Sequence, residues 1–307
     1  MNKIISNIVF TKNRPLQLEA YLESLYKYFP SNLIKTYIIY KVELFSEEYE
    51  FVFKKFPNCI VIREQDFHND FMNIVNQINT KYILFGVDDV VFFDTIDLSI
   101  IDETFNIDKE NIFGFSLRFG QEIINNKKDI INEIFIRDQI IYYLDWTKGQ
   151  TPNTCYPFEL CATFYKTELV KDIINNQMNN NPMIRKVFLP NSILIKTARR
   201  FFSMRSTLKS FGFFFNPNTF ESWNCRWCRN HSNKLPKRIY FQKLCASALQ
   251  INMVNATKRK IFEDSDGYTI ESLAQKYRHG YRLDIDYMSQ NKPKGTHCGY
   301  EYLKLKK

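Results

Sequence analysis

The run Ile83-Leu84-Phe85-Gly86-Val87-Asp88-Asp89-Val90-Val91-Phe92 sets two adjacent carboxylates inside an otherwise apolar decapeptide. Short β-branched and aromatic runs of this kind read as buried strands, here over residues 81–87, with the acids at the strand's carboxyl end. In an open α/β sheet that end is where ligands bind. Two neighbouring acids there repel each other unless a cation or hydrogen bonds offset the cost. Mg²⁺ or Mn²⁺ fits, because hard cations take carboxylate oxygens together with substrate phosphates. Such an ion neutralises charge on a departing diphosphate. The plainer alternative is a solvated turn or a helix cap, and the apolar flanks on both sides argue against it.

Upstream, strands and helices alternate. Residues 4–10 form a β-branched run suited to a buried first strand. Thr11-Lys12-Asn13-Arg14-Pro15 reads as a turn, and Pro15 opens a helix without losing a needed N–H. Leu18, Leu22 and Leu25 then mark a helical stripe. Further strands are predicted over 36–42 and 59–63, with helices over 49–56 and 70–78. This alternation predicts an α/β fold with a doubly wound, mostly parallel sheet. After residue 115 the pattern loosens. Strands are predicted over 113–117 and 159–165, a helix over 166–175, an Asn-rich loop over 175–181, and a helix over 270–279 before a polar, Lys-rich tail. Residues 1–115 form one half and 116–307 the other, within one continuous domain.

The 307 residues are 45% hydrophobic, enough to bury a sizeable core and to exclude wholesale disorder. No apolar run reaches the ~18 residues of a membrane-spanning helix, and the N-terminus reads as a strand rather than a signal peptide. Seven cysteines without a dense framework read as reduced thiols of a cytoplasmic protein. Cys225 and Cys228 have C-x₂-C spacing but lack a second pair for zinc. Charge is uneven: residues 1–150 hold 16 Lys/Arg and 22 Asp/Glu, whereas 151–307 hold 26 and 11. Between 181 and 262 there are 16 Lys/Arg and one acid, Glu221. A basic field of this size favours an anionic partner, or is a solvated face.

Ile8-Val9-Phe10-Thr11-Lys12-Asn13-Arg14-Pro15-Leu16 resembles the first strand and nucleotide-binding turn of GT-A (Rossmann-like) glycosyltransferases, in particular bacterial family 2-like enzymes. The strand ending in Asp88-Asp89 resembles their acidic DxD motif, in an adjacent-acid form. The resemblance covers about residues 3–95. It implies a glycosyltransferase of the hexosyltransferase type, with Mn²⁺ or Mg²⁺ and a nucleotide-sugar donor, a UDP-sugar first. By resemblance Thr11 and Arg14 contact the base or diphosphate, Asp88 binds the nucleotide, and Asp89 serves as metal ligand and catalytic residue, with Asp88 beside it. Arg14 read alone suits bidentate phosphate binding, or a surface ion pair with Glu19 or Asp89. Asn73, on the helix after the third strand, is a further nucleotide candidate, or an ordinary helix-surface Asn.

Later segments extend the resemblance. Tyr156-Pro157-Phe158-Glu159-Leu160-Cys161-Ala162 resembles the segment facing the donor sugar. Cys161 and Ala162 are small enough to let a sugar approach, and Glu159 is a candidate for a sugar hydroxyl, or an exposed strand acid. Asn216-Pro217-Asn218-Thr219-Phe220-Glu221-Ser222-Trp223 resembles the position that supplies the catalytic base of inverting enzymes. On its own chemistry, Glu221 in a basic field should have a depressed pKa and stay ionised, ready to take an acceptor proton. Pairing with Arg226 is the alternative. Trp223 could stack on a sugar. A late His often completes the metal site, and His297 is the candidate. The stretch 193–215 interleaves cations and Phe, which suits an anionic bilayer, single-stranded nucleic acid, or a core with snorkelling cations.

The resulting expectation is a cytoplasmic enzyme of surface polysaccharide or lipopolysaccharide assembly. It acts on a glycan or lipid-linked anionic acceptor, in peripheral contact with an anionic membrane at its inner face, with no nucleic-acid partner. A nucleotidyltransferase shares the strand-end acids but usually carries a Gly-rich phosphate loop, and residues 1–30 contain no Gly. A nucleic-acid-binding protein using the basic half, and an inactive scaffold, are the remaining alternatives.

Overall fold

Four parallel strands, β1 (Ile5–Lys12), β2 (Ile34–Lys41), β3 (Ile60–Arg63) and β4 (Tyr82–Val87), lie in the spatial order β3-β2-β1-β4. The computed structural model describes residues 3–109, 111–124, 129–179, 214–232, 234–251 and 267–307. Helices α1 (Pro15–Tyr28), α2 (Ser46–Lys55) and α3 (Phe67–Gln77) connect these strands. Pro15 occupies the first turn of α1, as its missing N–H permits. Asn13 takes φ 54, a left-handed conformation that Asn tolerates. Its side-chain oxygen accepts the N–H groups of Glu43 and Leu44 at 3.0 and 3.1 Å, tying this turn to the end of β2.

Beyond β4 come β5 (Val90–Phe92), α4 (Leu98–Ile107), β6 (Ile112–Ser116), α5 (Gln121–Ile124), β7 (Ile131–Ile136) and β8 (Gln139–Asp145). They are followed by β9 (Thr163–Lys166), α6 (Thr167–Asn179), α7 (Pro217–Asn230), β10 (Lys237–Phe241) and β11 (Ala246–Leu249). Among the described residues the main sheet has nine strands, ordered β3-β2-β1-β4-β9-β6-β10-β8-β7. Only β9 and β8 run against the rest. The expected mostly parallel α/β sheet is present, and it runs unbroken across residue 115.

Both faces are covered. Leu18, Leu22 and Leu25 of α1 and Ile101 and Phe105 of α4 pack on one side. Phe71 and Ile74 of α3, Ile173 and Ile174 of α6, and Phe220 and Trp223 of α7 pack on the other. Gly86 allows the closest approach: a Cβ there would sit 2.1 Å from the Tyr21 hydroxyl oxygen of α1.

Three local expectations are corrected. The strand predicted over 159–165 begins only at Thr163, because Ala162 is held at φ 50 and breaks the extended geometry. The loop predicted from residue 175 is helical to Asn179, since burial of Ile173 and Ile174 outweighs the weak helix propensity of Asn. The polar tail is built into the fold. Helix α8 (Ile270–Arg278) is followed by β12 (Arg282–Leu283), α9 (Ile285–Gln290), β13 (His297–Cys298) and β14 (Leu305–Lys306). β12 pairs with β14, while β13 joins β11, which in turn pairs with β5. The tail therefore joins, through β11, the small sheet that contains β5, the strand following Asp88-Asp89. Most of the basic, Phe-rich stretch 193–215 lies outside the described residues. Its end, Phe214, is fully buried and packs edge-on against Phe71, Phe220 and Trp223.

Candidate active site

The order β3-β2-β1-β4 reverses direction between β1 and β4, which makes the gap between their carboxyl ends the switch point where α/β sheets bind ligands. Thr11 and Asp88 stand on its two sides. The Asp88 N–H extends the ladder to the Phe10 carbonyl at 3.1 Å. One chain of hydrogen bonds crosses the gap. The Arg14 N–H donates to the Tyr49 hydroxyl at 3.0 Å, and Thr11 Oγ1 donates to Asp88 Oδ2 at 2.7 Å. The Tyr49 and Thr11 hydroxyls are 2.7 Å apart. Since the Thr11 proton is committed to Asp88, Tyr49 is the donor in that pair. The Arg14 guanidinium pairs with Asp88 through Nη2 and reaches Asp89 Oδ2 from Nη1 at 3.3 Å.

Burial opposes charge on both partners of this cluster. It raises the Asp88 carboxyl above its ordinary range, while the Arg14 guanidinium pulls it down. Burial also disfavours the guanidinium of Arg14, but Asp88 and Asp89 outweigh it and hold Arg14 above its usual value. Arg14 is thus neither a surface ion pair nor an open phosphate clamp, because its terminal nitrogens are committed to the two acids. Its Nε is buried without a partner. Glu19, the other partner considered for Arg14, pairs instead with Lys55 and Arg282.

The chemistry of the donor set tests the expected cation. Asp88 is consumed by Arg14, Thr11 and the Lys12 N–H. Asp89 keeps Oδ1 buried with no hydrogen-bond partner, an acceptor that a cation would satisfy. His297 sits on β13, with Nε2 3.4 Å from Arg118 Nη1 and Nδ1 3.0 Å from Thr296 Oγ1. Among the described residues no group of three or more His, Cys, Asp or Glu side chains is placed to hold a metal. The trio Asp88, Asp89 and His297 is therefore not assembled as a ligand set. Asp89 fits a cation, and Asp88 is occupied in holding the turn.

Glu159 departs furthest from expectation. It is neither exposed nor open to a sugar hydroxyl, being only 3% accessible. Arg118 Nη2 donates to its Oε2 at 2.7 Å, Ser116 Oγ to its Oε1 at 2.8 Å, and Thr163 Oγ1 also donates to Oε1. Arg238 adds an ionic contact, although its Nη2 lacks an aligned hydrogen bond. Burial penalises the Glu159 charge, but Arg238 and Arg118 outweigh it and hold the carboxyl well below the usual range. Arg118 also donates to the Thr296 carbonyl at 3.2 Å, joining this cluster to the C-terminal segment.

Glu221 lies on α7, half-buried, and accepts the Leu160 N–H at 3.1 Å. Its expected depressed pKa is corrected. Desolvation dominates and pushes it up to about 7; the Leu160 N–H, Arg118 and Tyr156 lower it, and Glu159 adds to the rise. Among the described residues no cation of that stretch forms an ion pair with Glu221. Arg226 is exposed on the same helix and makes no ion pair with Glu221. Trp223 is buried against Phe214, so it is not available to stack a sugar. Cys161, half-buried, lies where Arg118, Asp89, Glu221 and Glu159 all act on it; burial pushes its thiol up. Asp89 and Glu221 thus both act electrostatically on one thiol, that of Cys161. Asn73 is exposed midway along α3, outside the hydrogen-bond network of Thr11, Arg14 and Asp88. Cys225 and Cys228 are buried free thiols of α7, and Cys225 donates to the Phe158 carbonyl at 3.1 Å.

Three contributors carry weak sequence signals. Tyr49 looks like one more apolar helix residue, and only its hydroxyl's position matters. Arg118 was detectable as a lone cation two residues past the buried strand β6. Arg238 sits in a crowd of cations that hides its burial.

No protein-family model matches the chain. The chain is 27% identical over 192 residues to the "Bifunctional glycosyltransferase pgtA" of Dictyostelium discoideum. That match covers 55% of this chain and 24% of the relative, so the chain spans about a quarter of the curated relative it matches. Among solved structures, residues 1–349 of S. aureus TarS are similar at 14% identity, over 56% of this chain and 49% of that one, with a TM-score of 0.40. The mannosyltransferase PcManGT of Pyrobaculum calidifontis, solved with GDP-Man and Mn²⁺, is similar at 8% identity, over 56% and 47%, with a TM-score of 0.36. The sequence likeness is thus to a glycosyltransferase, in line with the expectation from residues 3–95.

Proposed function

We propose that the chain is a metal-dependent glycosyltransferase that moves a hexose from a nucleoside-diphosphate sugar to a glycan or lipid-linked acceptor in surface polysaccharide assembly. The observation that supports this reading is the unpartnered Asp89 Oδ1 at the sheet's switch point, beside the shared electrostatic influence of Asp89 and Glu221 on Cys161. In this reading residues 1–115 hold the donor and 116–307 the acceptor. Thr11, Tyr49 and Asp88 fix the floor beneath the nucleotide, and Arg14 holds both acids in place. Asp89 would hold Mn²⁺ or Mg²⁺ with the donor's phosphates completing the shell, as such ions prefer. Held there, the ion would supply positive charge for the leaving diphosphate.

Glu221 would serve as the base of an inverting reaction. A carboxylate that titrates near about 7 is matched to proton transfer at neutral pH. As the acceptor oxygen bonds to the anomeric carbon, its proton passes to the Glu221 carboxylate. The bond from that carbon to the diphosphate oxygen breaks, and its electron pair leaves with the nucleotide. Glu159 takes no part in contact with sugar here; it braces the segment 158–162 against β6. The basic segment 181–262 suits a phosphorylated acceptor at an anionic membrane surface, on charge alone. No helix among the described residues is long and apolar enough to cross a membrane.

A thermal-shift panel of UDP- and GDP-sugars, each with and without Mn²⁺, tests the reading. A binder of the folded state raises the unfolding temperature by mass action. Stabilisation by at least one nucleotide-sugar that requires Mn²⁺ is the expected result. No response to any donor under either condition rejects it.

A further inference from the structure

The amino end of β4, away from Asp88 and Asp89, also carries a cavity. It has a volume of about 740 Å³ and opens between the C-terminal turn of α4 and the first turn of α6. The six residues of β4 separate it from Asp88 by roughly 20 Å. Tyr82 and Phe105, stacked with ring centroids 5.0 Å apart, contribute an aromatic wall.

The polar lining is cationic. Lys81, Lys109, Lys166 and Lys171 face the cavity, against Glu168 and Asp172. Lys81 pairs with Asp102 at 2.5 Å. Lys166 and Lys171 donate only to the main-chain carbonyls of Lys109 and Ile78, at 2.7 and 2.6 Å. Among the described residues neither they nor Lys109 forms an ion pair. Burial and then Lys109 lower the pKa of Lys166, against the opposing pull of Asp108 and Glu168.

Helix α6 begins in this wall. The first N–H groups of a helix lack intrahelical partners and carry its positive pole; here the Thr167 N–H is already given to the Lys81 carbonyl at 3.1 Å, so the pole acts through its charge. That alone would not make a site. Thr167, at the same helix start, lines the cavity, is only 5% accessible, and its Oγ1 has no hydrogen-bond partner. A buried hydroxyl left unpaired is uncommon in folded proteins. Together, hydroxyl and unpaired ammonium groups form the donor set that a phosphate group's oxygens accept, with the helix pole beside them.

We propose that this cavity binds the phosphate group of a phosphorylated molecule, with Lys109, Lys166 and the Thr167 hydroxyl as its donors and the positive pole of α6 beside them. The inference does not rest on the proposed transferase activity, because it uses none of the residues at the Asp88–Asp89 edge. The phosphate belongs to either a soluble metabolite or a lipid headgroup.

The test titrates inorganic phosphate into the full chain and follows thermal unfolding, with sodium chloride at matched ionic strength as the control. Phosphate should raise the unfolding temperature beyond chloride. The double substitution K109A/K166A should weaken that response at least tenfold in concentration, as should Thr167→Val, which preserves shape. Asp89→Ala should leave the response intact. Circular dichroism spectra matching wild type identify folded variants. Sedimentation with phosphatidic acid vesicles against phosphatidylcholine vesicles separates the sources. Pelleting that is lost in K109A/K166A assigns a lipid headgroup, and a phosphate response without pelleting assigns a soluble ligand. No phosphate effect beyond chloride, or equal effects in wild type and K109A/K166A, overturns the proposal.

Discussion

Replacing Glu221 with Gln should make the protein more stable while removing transfer. The folded carboxyl titrates near about 7 against a usual value of 4.5, with desolvation the leading cause. Between those values the folded chain keeps a proton that the unfolded chain releases. Stability therefore falls as pH rises through that window, and the whole cost is present above about 7. At ~1.4 kcal/mol per tenfold in affinity, the gap sets an upper bound of ~3 kcal/mol. Solvent reaching a half-buried carboxylate brings this nearer ~1–2 kcal/mol. Gln keeps the shape and the acceptor for the Leu160 N–H but cannot ionise. Thermal unfolding of wild type and Glu221→Gln at pH 5 and pH 8.5, beside a transfer assay, reads both effects. The variant should gain stability at pH 8.5, the gain should shrink at pH 5, and transfer should be lost. In wild type, transfer should rise with pH through about 7. A variant less stable at both pH values, or one that still transfers sugar, would refute the assignment of Glu221 as a strained, functional base.

Glu159→Gln should act in the opposite sense. It leaves Arg118 and Arg238 buried without their counter-charge, which costs ~3–5 kcal/mol and should appear as a lower denaturation midpoint. Because the folded carboxyl is held below the usual range, its contribution is present above the unfolded value and lost as pH falls toward the folded one. The gap between wild type and Glu159→Gln should therefore narrow in acid; a constant gap contradicts the ion-pair account. Gly86→Ala would set a methyl against the buried Tyr21 ring, whose hydroxyl donates to Asn7 Oδ1 at 2.7 Å. Overpacking of this kind costs ~1–3 kcal/mol, and unchanged urea unfolding would show that the ring yields freely.

The first half of the fold was legible because each strand announces itself locally. Residues 4–10 and 83–87 are short runs rich in β-branched and aromatic residues and of strand length, and Pro15 opens α1. The second half was not, because its geometry is set by distant partners. Ala162 bends the chain where sequence suggests a continuing strand, and the turn joining β7 to β8 uses Arg137 at φ 52 rather than the Asn or Gly that would signal it. The site divides in the same way. Asp88 and Asp89 were visible as acids amid apolar neighbours. The roles of Glu159 and Glu221 were not, because a count of charges along a chain says nothing about desolvation. Arg238 of β10 and Arg118, just past β6, pair with Glu159, while Glu221 is desolvated and accepts a main-chain N–H.

Electron paramagnetic resonance of Mn²⁺ with the chain, titrated with UDP and GDP in turn, addresses the central claim most directly. The account predicts that free Mn²⁺ signal disappears stoichiometrically when a nucleoside diphosphate is present, and that Asp89→Asn abolishes this uptake. Equal Mn²⁺ uptake by Asp89→Asn, or none by wild type with either nucleotide, would contradict it.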